Sequence, residues 1–218
     1  MTSRLPVLRC SLVEGTLVKM PRAPRVEVVG ETYHVTQHAI DDRRLFRDDG
    51  DRETFLRFLR QELVRSRWTC LGYALMSTHY HLLLRIEELT LSSGFQRLNG
   101  RYAQAYNHRY GRRGHVFERR FRDVVVESES HRYEVMRYIH LNATRANMCE
   151  SPEDHVWCDY GSTVGLLPRD PIVDPRVALE LFGDRLDVAR RRYLAFVAEA
   201  DPRVRRGQTR ARPRVRAA

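Results

Sequence analysis

Two histidines, His79 and His81, stand two residues apart at the head of an apolar run, Leu82-Leu83-Leu84, directly after Ser77-Thr78. The run is rich in leucine rather than β-branched residues, so propensity alone does not decide between strand and helix. Its shortness and the Ser-Thr pair before it favour a strand leaving a tight turn. On a strand, residues i and i+2 share a face, which sets the two imidazoles side by side and turns Tyr80 the other way. Paired imidazoles so placed can hold a divalent metal. Such a pair beside an apolar run is more often structural than chemical, so a second stretch has to converge on it. Met136-Arg137-Tyr138-Ile139-His140-Leu141-Asn142 offers one, because on a helix Tyr138 and Asn142 lie on one stripe. A tyrosine can act as a nucleophile and an asparagine carbonyl as a metal ligand.

The elements that must position these groups follow from periodicity and punctuation. Val26–Ala39 reads as a first strand, with β-formers in Tyr33-His34-Val35-Thr36 and a turn at Gly30. His34 and His38 on it are possible ligands, although a strand histidine without a defined partner is more often structural. Asp48-Asp49-Gly50-Asp51 supplies N-cap chemistry for a helix over residues 52–67, whose core stripe is Phe55, Leu56, Leu59, Leu63 and Val64. Trp68–Met76 and His79–Ile86 form a hairpin. A second helix over Ser92–Tyr110 buries Phe95, Leu98, Tyr102 and Tyr106, and Gly111-Arg112-Arg113-Gly114 ends it in a basic loop. Phe121–Glu127 is the fourth strand, and Ser128-Glu129-Ser130 caps the helix that carries Tyr138, with Val135, Met136 and Ile139 inward. The order strand, helix, strand, strand, helix, strand specifies an α+β fold, a ferredoxin-like βαββαβ antiparallel sheet backed by two helices, with one helix added.

The combination His79-Tyr80-His81 with Tyr138-Ile139-His140-Leu141-Asn142 resembles the single-tyrosine HUH transposases, and among them the REP-associated tyrosine transposases, which are IS200-like. The likeness runs from about Met20 to about Gly165 and takes in Tyr33-His34-Val35-Thr36, Leu45-Phe46-Arg47-Asp48, Leu98-Asn99-Gly100-Arg101-Tyr102 and Gly114-His115-Val116-Phe117. The sequence departs from the family at Gln37-His38-Ala39, where an arginine-glycine pair is usual, at Thr78, where asparagine is commoner, and at Ala143, where proline is frequent. The last change is expected to loosen the turn after the helix. The resemblance implies that the added helix crosses the open face of the sheet and brings Tyr138 to the histidines. It further implies that His79, His81 and Asn142 hold Mg²⁺ or Mn²⁺ and that Tyr138 attacks a DNA phosphate. A 5′-phosphotyrosine intermediate and a free 3′-hydroxyl would result, in single-strand cleavage and rejoining during DNA transposition or REP-element processing. Related enzymes often work as dimers that exchange tyrosines, so monomer and homodimer both stay open.

Charge and composition agree with a nucleic-acid partner. The formal charge is +10, and arginine supplies nearly all the cations; its fork suits phosphate. A high-GC, arginine-favouring genome would raise the charge as well. The densest basic stretch inside the fold gives the candidate DNA contacts Arg101, Arg112, Arg113, Arg119 and Arg120. Cys10, Cys70, Cys149 and Cys158 form no zinc spacing and read as free thiols of a cytoplasmic protein. No apolar run approaches a membrane span. The expected organisation is a disordered leader over 1–19, a catalytic domain over 20–166, a C-terminal helical pair over 167–200 and a disordered tail over 201–218. That tail carries seven of the arginines and no acid after Asp201.

Two other readings fit parts of the pattern. A nucleic-acid-binding module without catalysis explains the charge and the aromatics, but gives the two histidines, Tyr138 and Asn142 no joint task. A metal hydrolase using water at His79 and His81 would keep its activity in Tyr138→Phe.

Overall fold

The computed structural model describes residues 26–201, Arg203 and Val204, and the backbone of a short antiparallel hairpin, β1 (Ser11–Val13) with β2 (Thr16–Val18). That hairpin falls within the expected leader; the rest of residues 1–25 lies outside the described residues. The main sheet has four antiparallel strands, β3 (Thr32–His38), β4 (Trp68–Leu75), β5 (His79–Ile86) and β6 (Arg122–Val125), in the order β4-β5-β3-β6. Two helices, α1 (Asp49–Arg65) and α2 (Leu91–Arg109), back one face. The order of elements and strands is the ferredoxin-like one, with α3 (Glu129–Arg145) added on the opposite face.

The two faces sort by residue type. Tyr33, Val35, Tyr80, Leu82 and Leu84 turn towards α1 and α2 and are fully buried. Phe55 packs on Tyr80 with ring centroids 4.6 Å apart, and the Tyr80 hydroxyl donates to Asn99 Oδ1 at 2.7 Å. Asp48 caps α1, accepting from Asp51 N at 3.1 Å, and Arg109 at the end of α2 bridges both acids, so the two helices are clamped end to end. Val64 departs from the expected core stripe: it is 82% exposed, because five residues beyond Leu59 a helix has turned to its outer side. Glu62 is buried instead, held by Arg97 and Ser66.

The first strand is shorter than expected. Val26, Val28 and Val29 are exposed, and Gly30, at φ 86°, turns the chain into β3. The turn expected at Asn142-Ala143 is absent. Ala143 is buried inside α3, which runs on to Arg145, since alanine continues a helix that proline would disturb.

The C-terminal helices pack onto α3. After α4 (Tyr160–Thr163) and α5 (Pro175–Ala178), α6 (Leu186–Ala200) buries Ala189, Tyr193 and Val197 in the common core. Arg137 of α3 lies over the Phe196 ring at 4.1 Å. The chain then doubles back: Arg203 bonds Asp201 and donates to Thr144 O at 2.8 Å at the end of α3, and Val204 is buried. The packed body thus extends beyond 201, where the tail was expected to start; residues 205–218 lie outside the described residues. Residues 157–159 cover the open edge of β4, with Leu75 N donating to Trp157 O at 2.9 Å.

Candidate active site

The hairpin turn Ser77-Thr78 fixes the phase of β5, closed by Met76 N donating to His79 O at 2.9 Å. His79 and His81 then project from the face opposite Tyr80, with ring centroids 4.9 Å apart. The register sets Thr36 of β3 opposite His81 and His38 opposite His79. His34, Thr36 and His38 therefore join the same face.

α3 crosses this face. Ser128 caps it, accepting from His131 N at 3.1 Å. Tyr138 and Asn142, one turn apart, both look down on the histidines. The Asn142 amide nitrogen is 3.2 Å from His81 Nε2. The Tyr138 ring meets the His81 ring edge-on at 5.5 Å and the His34 ring at 6.0 Å, and its side chain is 42% exposed. One chain thus brings together Tyr138, His79, His81 and Asn142.

The second nitrogen of each paired ring is occupied. His79 Nδ1 lies 3.0 Å from Thr78 Oγ1, and His81 Nδ1 lies 3.1 Å from His34 Nε2 and 3.3 Å from Thr36 Oγ1. Burial keeps the rings neutral. It pulls His34 and His79 down to about 4 and His81 to about 2, helped by His131 beside His34, by His38 beside His79, and by His79, His34 and His38 around His81. Two neutral imidazoles and one side-chain amide, whose carbonyl oxygen is its ligand atom, make an uncharged donor set that fits a divalent cation.

The same shifts set a pH dependence. Unfolded, these rings titrate near 6.5; folded, their values are depressed, so the unfolded chain binds more protons between about pH 6.5 and 4. Stability is present above this window and is lost as pH falls through it. The urea midpoint of metal-free protein is expected to drop between pH 7 and pH 5, more shallowly in His79→Gln. A flat midpoint in the wild type would contradict it.

His140, between Tyr138 and Asn142 in sequence, points the other way. With Cys158 and Asp159 it places ligand-type atoms within 4.8 Å of one another, all buried. Its nitrogens are committed to hydrogen bonds, however: Tyr193 Oη lies 2.6 Å from Nδ1, and Nε2 lies 3.0 Å from Asp159 Oδ1. Asp159 also accepts from Tyr73 N at 2.7 Å and from the Thr163 hydroxyl at 2.8 Å. Every one of these polar atoms has a protein partner, so the cluster fits a structural network rather than a metal seat.

The structure does not bring Arg101 to the site. It lies in the α1–α2 layer behind the sheet, bonded to Gln61 at 2.6 Å and stacked over Phe58 at 4.3 Å, a position that charge alone could not reveal. Arg119 and Arg120 follow Glu118, whose N–H donates to His38 O at 3.2 Å, at the rim of the histidine face; both are exposed. Arg113 is exposed in the loop after α2, and Arg112 lines a cleft of about 480 Å³ with Arg43, Arg44, Arg47 and Tyr106. Leu45 N and Phe46 N both donate to Ser77 O, which ties that cleft to the hairpin preceding His79.

Sequence reasoning passed over Arg43, Arg44 and Arg47 as DNA contacts because Asp41, Asp42 and Asp48 flank them and offset their charge locally. It also left out Arg122. The register sets Arg122 opposite Thr36, itself opposite His81, so this exposed cation shares the histidine face.

Residues 27–142, more than half of the chain, match the family described as "Transposase IS200 like". The chain belongs to the IS200-like transposase family. This transposase, an enzyme acting in DNA transposition, is similar in fold to a REP-associated tyrosine transposase bound to a REP hairpin. The TM-score is 0.57 at 15% identity, over 72% of this chain and 93% of that one. A crystal structure of a putative transposase from Deinococcus radiodurans R1 also matches, at 17% identity over 55% of this chain and 95% of that one, with a TM-score of 0.39 that decides nothing further. The comparison with curated proteins returned no match. Among the described residues no helix is long and apolar enough to cross a membrane.

Proposed function

We propose that this transposase cuts and rejoins single-stranded DNA beside a hairpin through a covalent 5′-phosphotyrosine at Tyr138. The observation that carries the reading is the meeting of the Tyr138 ring, the His81 ring and the Asn142 amide on one sheet face. His79, His81 and Asn142 would hold Mg²⁺ or Mn²⁺; when bound, the ion supplies positive charge that offsets the charge developing on the scissile phosphate and favours the phenolate. Oxygen-seeking Mg²⁺ and imidazole-tolerant Mn²⁺ both suit such a set.

Tyr138 Oη attacks phosphorus in line, giving its proton to water. The new Oη–P bond forms as the P–O3′ bond breaks, and the departing 3′ oxygen takes up a proton. Because the ester is conserved, a 3′-hydroxyl can reverse the step and rejoin strands without ATP. The four proposed groups come from one chain, which supports a reading in which a monomer is sufficient for catalysis.

Arg122 is suited to clamp the reacting phosphate, and Arg119, Arg120, Arg112 and the Arg43–Arg47 segment to carry the strand that leads to it. The REP hairpin held by the similar structure supports hairpin DNA as the partner. Arg122→Ala is expected to slow covalent adduct formation at saturating DNA by about 10²-fold, with partial recovery in Arg122→Lys. Arg101→Ala should change it less than about twofold. Equal losses in Arg122→Ala and Arg101→Ala would refute this assignment.

The function itself is tested with hairpin-bearing single-stranded DNA and Mn²⁺. A 3′-terminal label should migrate with denatured protein, and a 5′-terminal label should leave on a fragment ending in a 3′-hydroxyl. Two free fragments without adduct would mean hydrolysis by water; intact bound DNA would mean a binding module.

A further inference from the structure

β3 contributes His34, Thr36 and His38 to the histidine face, and the proposed chemistry uses none of them. His34 makes the most specific contacts. Its Nε2 lies 3.1 Å from His81 Nδ1, and with centroids 5.3 Å apart and planes 23° apart the two rings meet edge to edge, as an in-plane hydrogen bond requires. On the far side of the His81 ring, Asn142 Nδ2 lies 3.2 Å from Nε2. A neutral imidazole has one N–H and one lone pair. With the Asn142 amide donating to Nε2, the lone pair is there and the hydrogen is on Nδ1. His34 Nε2 then accepts that hydrogen, and its own proton sits on its Nδ1.

We propose that His34 is a positioning residue that locks His81 in the Nδ1–H tautomer, so that the Nε2 lone pair faces the metal seat beside Asn142. The inference rests on His81 being a metal ligand. A ligand histidine whose second nitrogen donates a hydrogen bond is fixed in rotation and made more basic. The acceptor here is another imidazole, which adds no charge to the seat. Thr78 Oγ1 stands at the corresponding place beside His79, 3.0 Å from its Nδ1. His34 also touches the Tyr138 ring edge-on at 6.0 Å, so a single side chain braces both the ligand and the attacking group.

The geometry argues against His34 and His38 as ligands themselves. His34 Nε2 is committed to His81 on the side of the ring away from Nε2. His38 lies over His79 at 4.6 Å with planes only 13° apart. Lone pairs of imidazoles point in the ring plane, and two parallel, stacked planes do not meet at one ion.

The test begins with metal-free wild-type protein carrying ¹⁵N-labelled histidine. Long-range ¹H–¹⁵N spectra should show His81 protonated on Nδ1 and bare on Nε2. Mn²⁺ titration should then show affinity weakened about 10- to 100-fold in His34→Phe and largely restored in His34→Gln, whose side-chain oxygen can accept the same hydrogen bond. Adduct formation in His34→Phe should need more Mn²⁺ yet approach the wild-type rate once Mn²⁺ saturates.

A wild-type His81 protonated on Nε2 overturns the proposal, and it does so even if the phenylalanine variant fails to fold. Wild-type Mn²⁺ affinity in both variants overturns it as well. A wild-type protein with the expected tautomer that binds no Mn²⁺ overturns instead the metal reading beneath it, and with it the task given to His34.

Discussion

Tyr138→Phe is expected to abolish the covalent adduct with hairpin-bearing single-stranded DNA while leaving the DNA bound. The substitution removes one oxygen and keeps the ring that packs edge-on against His81 and His34. The side chain is partly exposed, so no buried hydrogen bond is lost and the fold should hold. Loss of the only nucleophile in a covalent mechanism costs on the order of 10⁴-fold or more in rate. Affinity for the hairpin should stay within about threefold, because phosphate contacts carried by arginines dominate binding. Retained cleavage with two free ends would indicate that water attacks, and Tyr138 would then be only a wall of the site. An adduct that persists in Tyr138→Phe would move the nucleophile to another residue.

The parts of this site that a reader of the sequence can find are those fixed by local periodicity. His79 and His81 share a face because a strand repeats every two residues, and Tyr138 and Asn142 share one because a helix repeats every 3.6. The hairpin turn at Ser77-Thr78 and the Ser128 cap are equally local. What stayed hidden depends on which strands become neighbours. Arg122 joins the histidine face only because β6 pairs with β3 in a register that sets it beside Thr36. Arg101 looks like its basic companions in sequence, yet α2 lies behind the sheet. His34 offered no partner until β3 and β5 were paired. Val64 shows the same limit on a smaller scale: its hydrophobicity suggested a core position, but the angle around α1 sends it to solvent.

The second large effect falls on stability and explains why α3 presents Tyr138 and Asn142 rather than His140 to the sheet. His140 follows Tyr138 by two residues, about 200° around the helix, so anchoring its imidazole on the far side fixes the rotation of the whole face. The anchor is Asp159, which receives His140 Nε2, Tyr73 N and the Thr163 hydroxyl in a site closed to water. Tyr193 of α6 completes the chain by donating to His140 Nδ1; burial, with Asp159 nearby, pushes its phenol well above the usual range. Asp159→Ala leaves three buried donors without an acceptor, and is expected to destabilise the protein by about 3–5 kcal/mol. For a chain of this size that lowers Tm by roughly 10 °C. Asp159→Asn should cost much less, since its carbonyl oxygen can still accept from His140 and Tyr73 while Thr163 turns its hydroxyl to accept from the amide. A metal held by His140, Cys158 and Asp159 predicts a different pattern: a strong chelator would lower the Tm of the wild type by as much as Asp159→Ala does, and would leave Asp159→Ala unchanged. The hydrogen-bonded anchor predicts that chelator moves neither protein through this cluster, while adduct formation in Asp159→Ala falls even at temperatures where it remains folded, because α3 is then free to turn Tyr138 away from His81.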